Sequence, residues 1–213
     1  MQLIGMLDSP YVRRVAVALI AAEVPFTHRP ISLFRHIDEF SKLNALLKAP
    51  TLVTDEGTAL MDSNVILDYL AGAYPPVAAL TPPAASRRLR ALRSTGIALT
   101  VMEKAVQRHY ERALRPPDKR HQPWIDRVMS QLTAGLAALD AELPTSGWIG
   151  GELGHGDIAV ACAFGFVRGM LSDVADTSRY PNLAGFCERA EALPAFRDAP
   201  AEDGVTAQAG LAD

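Results

Sequence analysis

The chain has 213 residues, of which 49% are hydrophobic and 21% charged, and its formal net charge is -3. That length supports one large domain or two small ones, with a core that needs no metal or disulfide staple. The charge balance excludes the basic footprint of a nucleic-acid or anionic-membrane binder, and no run of about 18 apolar residues marks a membrane span.

"QLIGML" is a short apolar run suited to a buried strand. "YVRRVAVALIAAE" follows with Val12, Val15, Ala16, Leu19 and Ile20 at helical spacing. "FTHRPIS" reads as a second strand, and Pro30 points to a sheet edge. "FRHIDEFSKLNALL" is polar and irregular, consistent with short helices. "TLVTDEGTALM" predicts a hairpin that turns at Asp55-Glu56-Gly57. "SNVILDYLAGAY" starts at a serine and runs at helical spacing to Tyr74. The order βαβ then ββα implies a mixed sheet with helices packed on it.

"PPVAALTPPAAS" reads as a linker or loop because of its prolines. Nothing beyond it looks like a strand. Long helical patterns cover "ASRRLRALRSTGIALTVMEKAVQRHYERALR" and "PWIDRVMSQLTAGLAALDAEL". The arginines in this part alternate with apolar residues and read as solvated helix faces. "GDIAVACAFGFVRGML" is apolar nearly all round and predicts a buried central helix. "PNLAGFCERAEAL" is a shorter helix that stops at Pro194. The expected division is 1–77 and 86–213. Cys162 and Cys187 lie in no CxxC or zinc-like spacing, so we expect reduced thiols, no metal site and a cytoplasmic protein. The start "MQLIGMLDSP" also lacks the pattern of a signal peptide.

Three helix or strand starts carry chemistry. Ser9 precedes Pro10, a pairing that suits an N-cap and the first helical position. The same strand-to-helix turn would expose a hydroxyl where open α/β sheets bind ligands, at a helix end that favours anions. No Ser-His-Asp arrangement accompanies it, so Ser9 suits stabilising another group's thiolate rather than attacking. Ala49-Pro50 stands just before a strand. From the dipeptide alone a trans bond is the commoner case, since only about 5–6% of such bonds are cis. A cis bond would turn backbone outward to pair with an extended peptide. Asp62-Ser63 opens a helix, where either residue can cap. The pair also offers a carboxylate for an ammonium and a hydroxyl for a carboxylate, the two ends of an α-amino acid.

In this order, "SPYVRRVAVAL", "NALLKAPTLVTDEGTALMDSNVILDYL" and "GELGHGDIAVACAF" resemble the cytosolic glutathione S-transferases over essentially the whole chain. The likeness is to Ser-type members, particularly plant tau-type and bacterial ones. It implies a thioredoxin-like N-terminal domain followed by an all-helical C-terminal domain, and a homodimer that activates glutathione, as co-substrate, for detoxification of a small electrophile. Ser9 would donate to the glutathione sulfur. Ala49 would pair through its backbone, Asp62 would hold the γ-glutamyl ammonium and Ser63 its carboxylate. Lys48 and His36 would meet the glycine carboxylate. Leu7, Tyr11, Phe34 and the stretch from Met102 to Tyr110 would form the electrophile pocket, although Tyr11 also suits plain packing. Glutathione-dependent isomerases, peroxidases and dehalogenases share the thiolate, and a non-catalytic binding protein shares the fold. Thiol–disulfide exchange would need a cysteine at Ser9. The chain departs from the family at Ala45, Ala49 and Asp62, and at Gly154, where the capping box loses its hydroxyl.

Overall fold

The run Gln2–Ile4 forms β1 with Leu3 and Ile4 fully buried, as its apolar composition requires. This computed structural model describes residues 1–202, 204 and 206. Gly5 ends the strand at φ 135°, and a Cβ there would lie 2.6 Å from Val12 Cγ2 and 3.1 Å from the Ala49 β-carbon. Only glycine lets the chain turn this sharply into the following helix. α1, Pro10–Ala21, is then buried from Val12 to Ile20, arginines included. β2 is Thr27–Arg29, α2 is Ile37–Leu43, β3 is Thr51–Val53, β4 is Ala59–Met61 and α3 is Ser63–Ala73.

The four strands lie in the order β2-β1-β3-β4. β2 is an edge strand, as Pro30 suggested. β1 pairs parallel with β2 and antiparallel with β3, and β3 pairs antiparallel with β4. Gly57, at φ 83°, serves the hairpin turn. The register places Arg29, Ile4, Thr51 and Met61 in one row across the sheet. The fold is a thioredoxin-like sheet domain followed by helices, and no strand occurs after β4 among the described residues.

The proline-rich stretch contains a short helix, α4, Pro75–Ala79. Its prolines occupy the first turn, where no backbone N–H is needed, so proline density there marks a helix start rather than a loop. α5, Ala85–Ala113, packs on α6, Gln122–Glu142, and on α7, His155–Met170. A Cβ on Gly156 would lie 3.0 Å from the Ala91 carbonyl oxygen, so glycine sets how closely α7 approaches α5. α8, Pro181–Glu191, ends before Pro194, and that proline opens α9, Pro194–Arg197, rather than only stopping a helix. No described helix is long and apolar enough to cross a membrane.

Two compact units emerge: residues 1–81 together with the chain from Glu191, and residues 82–190. The division expected from the sequence did not return the final segment to the first unit. Arg13 holds it there. Its guanidinium, 2% exposed, donates to both Glu191 carboxylate oxygens at 2.7 and 2.6 Å and to the Ala199 carbonyl at 2.8 Å, and it lies 5.4 Å from the Phe196 ring centre. His28 adds a second tie. Its Nε2–H donates to the Gly5 carbonyl at 2.8 Å, and its Nδ1 accepts from the Thr206 N–H at 3.2 Å. Burial lowers the His28 pKa, outweighing the opposite pull of the Gly5 hydrogen bond, and so favours the neutral ring these partners require.

Candidate functional site

The strands that lead into or out of the predicted site residues share one end of the sheet. β1 and β2 end there at Ile4 and Arg29, β3 begins there at Thr51, and β4 ends there at Met61. Ser9, Lys48, Ala49, Asp62 and Ser63 all lie within five residues of that row, and His36 lies seven residues beyond Arg29. Three inter-strand steps make the row roughly 14 Å long. An extended tripeptide spans roughly 10–11 Å.

Ser9 is the N-cap of α1, with extended backbone and Pro10 in the first turn. Its Oγ accepts a long 3.5 Å hydrogen bond from the Val12 N–H. A hydroxyl has one proton and two acceptor sites. Capping uses an acceptor site, so the half-buried Ser9 keeps its proton for another group. The helix end adds a field that favours a negative charge.

The Ala49–Pro50 bond is cis. Asn44 pegs this segment: its Nδ2 donates to Thr51 Oγ1 at 2.9 Å and to the Lys48 carbonyl at 3.3 Å, and its Oδ1 accepts from the Leu46 N–H at 2.9 Å. Asn44 is buried, and its role as a peg was not visible in the sequence, where it stood only as one letter of the family block. Ala49 also packs against the cluster of Ile4, Ile31 and Phe40.

Asp62 caps α3 at φ 47° and ψ 141°, a left-handed angle that costs a non-glycine residue on the order of 1–3 kcal/mol. Its Oδ1 accepts from the Asn64 N–H at 2.9 Å, and its Oδ2 lies 3.9 Å from Lys48 Nζ. Both charges are well exposed, so this pair contributes little to stability and a ligand can displace it. Ser63 is nearly sealed, at 1% exposure. Its Oγ accepts from Arg14 Nη1 at 3.2 Å, which again leaves a proton to donate. Arg14 is itself 3% exposed, and helical spacing in α1 carried no signal of it. His36 is exposed at the start of α2, with Nδ1 accepting from the Ser32 N–H at 3.2 Å.

The expected electrophile wall is corrected at two positions. Leu7 and Met102 are fully buried core residues, so neither lines an open surface, whereas Phe34 is exposed. In the second unit a depression of about 570 Å³ is lined by Gln107, Tyr110, Leu114, Pro116 and Trp124, with the Glu111–Arg115 ion pair among its walls. It overlaps the predicted stretch at Gln107 and Tyr110. No group of three or more metal-ligating side chains occurs among the described residues.

The second unit has a different helix start. Asp157, 2% exposed, accepts from the Gly154 N–H and the Ile149 N–H, both at 2.9 Å. Gly154 has no side chain with which to return the bond. Burial pushes the Asp157 carboxyl up to about 6, against the pull of these N–H groups.

Known proteins match this chain along its length. The model of the glutathione S-transferase N-terminal domain matches residues 3–83, and that of the C-terminal domain matches residues 122–189. A solved glutathione S-transferase from Methylobacterium radiotolerans, in complex with glutathione sulfonate, is 29% identical with a TM-score of 0.85, over 93% of each chain. A glutathione transferase family member from Pseudomonas fluorescens with bound glutathione is 30% identical, TM-score 0.76, over 92% of this chain and 96% of that one. The maleylacetoacetate isomerase of Pseudomonas aeruginosa is 29% identical over 87% of this chain and 89% of its own.

Proposed function

Since the chain belongs to the glutathione S-transferase family, we propose that it is an enzyme that binds glutathione along this end of the sheet and ionises its thiol at Ser9 for attack on a small, largely apolar electrophile. The observation that carries this reading is the spare proton of Ser9 at the start of α1. A thiol of pKa about 8.5–9 is mostly protonated at neutral pH. A hydrogen-bond donor and a helix N-terminus both favour the thiolate, and a shift of about two units corresponds to about 2.7 kcal/mol. The Ala49 backbone pairs with the cysteinyl residue. Asp62 exchanges Lys48 for the γ-glutamyl ammonium, and Ser63 donates to the adjoining carboxylate. Lys48, released, and His36 meet the glycine carboxylate.

Glutathione-dependent isomerisation is a second reading, favoured by the match to maleylacetoacetate isomerase. The same thiolate adds to a double bond, rotation follows, and elimination returns the thiolate, so glutathione is not consumed. A homodimer fits the apolar side chains that each unit leaves exposed, Val65 and Tyr69 on α3 and Leu89 and Leu92 on α5. Sedimentation gives the oligomeric state.

The deciding experiment titrates the ultraviolet absorbance of the thiolate in the glutathione complex. A midpoint well below that of free glutathione, moved upward in Ser9→Ala, is expected. Binding with an unshifted midpoint means a non-catalytic glutathione binder. Counting glutathione consumed per electrophile turned over then separates conjugation from isomerisation.

A further inference from the structure

We propose that Arg14 is the positioning residue for the amino-acid end of the ligand: it holds the Ser63 hydroxyl so that its proton faces the ligand carboxylate. This rests on the glutathione reading above. Arg14 Nη1 spends its two hydrogens on Ser63 Oγ at 3.2 Å and Asn64 Oδ1 at 2.8 Å, the first two residues after the Asp62 cap. With an acceptor site of the Ser63 oxygen occupied from behind, the hydroxyl proton turns away from the guanidinium.

The placement runs against ordinary helix electrostatics. The start of α3 already carries the positive end of its dipole, and cations are disfavoured there. A guanidinium 3% exposed at that start adds a second positive charge and bears a desolvation cost. What Arg14 brings to that start is a hydrogen bond from behind on the Ser63 hydroxyl, whose proton is left for a ligand carboxylate. Arg14 also stands in the second turn of the helix that Ser9 caps. One side chain thereby fixes the start of α3, which receives the carboxylate, relative to the helix whose start receives the sulfur. The chemical class recognised is an α-amino acid carboxylate adjoining an ammonium, the ammonium falling to Asp62.

The test compares the affinity of glutathione with that of γ-aminobutyryl-cysteinyl-glycine, which keeps the ammonium and lacks only the α-carboxylate. Wild type should prefer glutathione by roughly tenfold to a hundredfold, the range for a hydrogen bond to a charged group. In Arg14→Met that preference should collapse to within about threefold, while affinity for the analogue and the pH midpoint of the bound thiolate stay near wild type. In a Ser63→Ala background Arg14→Met should change the preference little, because the two act as a unit. Equal weakening of both ligands would mark Arg14 as merely structural, and an unchanged preference would also overturn the inference. Should Arg14→Met not fold, Arg14→Lys keeps the buried charge but not the rigid planar fork. Its preference should fall by at least about threefold, and an unchanged ratio refutes the proposal. If wild type binds neither ligand, the glutathione reading itself fails; if wild type discriminates and Arg14→Met does so equally, only the role of Arg14 fails.

Discussion

The starts of α1 and α7 are made from the same chemistry and finished differently. In α7 the side-chain acceptor is Asp157, which is buried and closes two backbone N–H groups with bonds of 2.9 Å. In α1 the acceptor is the half-buried Ser9, which makes one bond of 3.5 Å and keeps its proton. A saturated cap contributes stability and has nothing left to give a ligand. An unsaturated one contributes less and holds capacity in reserve. The start of α3 lies on the unsaturated side, with the exposed Asp62 carboxylate in a strained backbone.

The contrast breaks most visibly at Asp157. Asp157→Ala leaves two buried N–H groups without an acceptor, at about 1–3 kcal/mol each. Denaturant unfolding should therefore show a loss of about 2–6 kcal/mol. Glutathione affinity per folded molecule should stay as it was; a selective loss of affinity would dissolve the distinction between the two starts.

The carboxyl of Asp157 gives a second, slightly smaller effect with a definite sign. The folded state holds its proton up to about 6 and the unfolded chain releases it near 3.8. Between those values the folded state binds more protons, so stability falls as pH rises through the window and is flat above it. The drop is about 3 kcal/mol. It should appear as the difference between wild type and Asp157→Asn in unfolding at successive pH values, and parallel curves would contradict it.

At α1 the larger effect moves from stability to chemistry. Ser9→Ala should cost only about 0.5–2 kcal/mol of folding free energy. Turnover at neutral pH should fall on the order of a hundredfold if the thiolate shift is about two units, with glutathione still bound through Asp62 and Ser63. Steady-state kinetics beside thermal unfolding separates the two losses. The smallest change sharpens the comparison instead of breaking it. Gly154→Ser should restore the missing reciprocal bond, since the Gly154 backbone is already extended. A gain of a few tenths of a kcal/mol is expected from paired unfolding curves.

Local features were legible in the sequence because local rules decide them. Ser9-Pro10, the turn at Gly57 and the opening of α3 each follow from residues within one turn of chain. The row of site residues needed the strand register, which only the structure supplies. What escaped depended on partners that only the folded chain brings together. Nothing in the local sequence marks the α1 arginines as buried, yet Arg13 is buried because Glu191 and Ala199 come to meet it, and Arg14 because α3 does. Asn44 gave no sign of its role because its acceptors, Lys48 and Thr51, close on it only when the turn and the strand form. Leu7 was placed in a pocket wall by the family resemblance, and burial removed it.

The grip of Arg13 and His28 on the last segment has a consequence for how the molecule is made. A ribosome releases the sheet long before it releases Glu191, Ala199 and Thr206, and in between comes the whole of residues 82–190. The part that begins first is therefore completed last. Until then the nascent sheet waits with two of its fastenings undone, and a chain cut short anywhere before Glu191 would lack them permanently, however well its helices had formed.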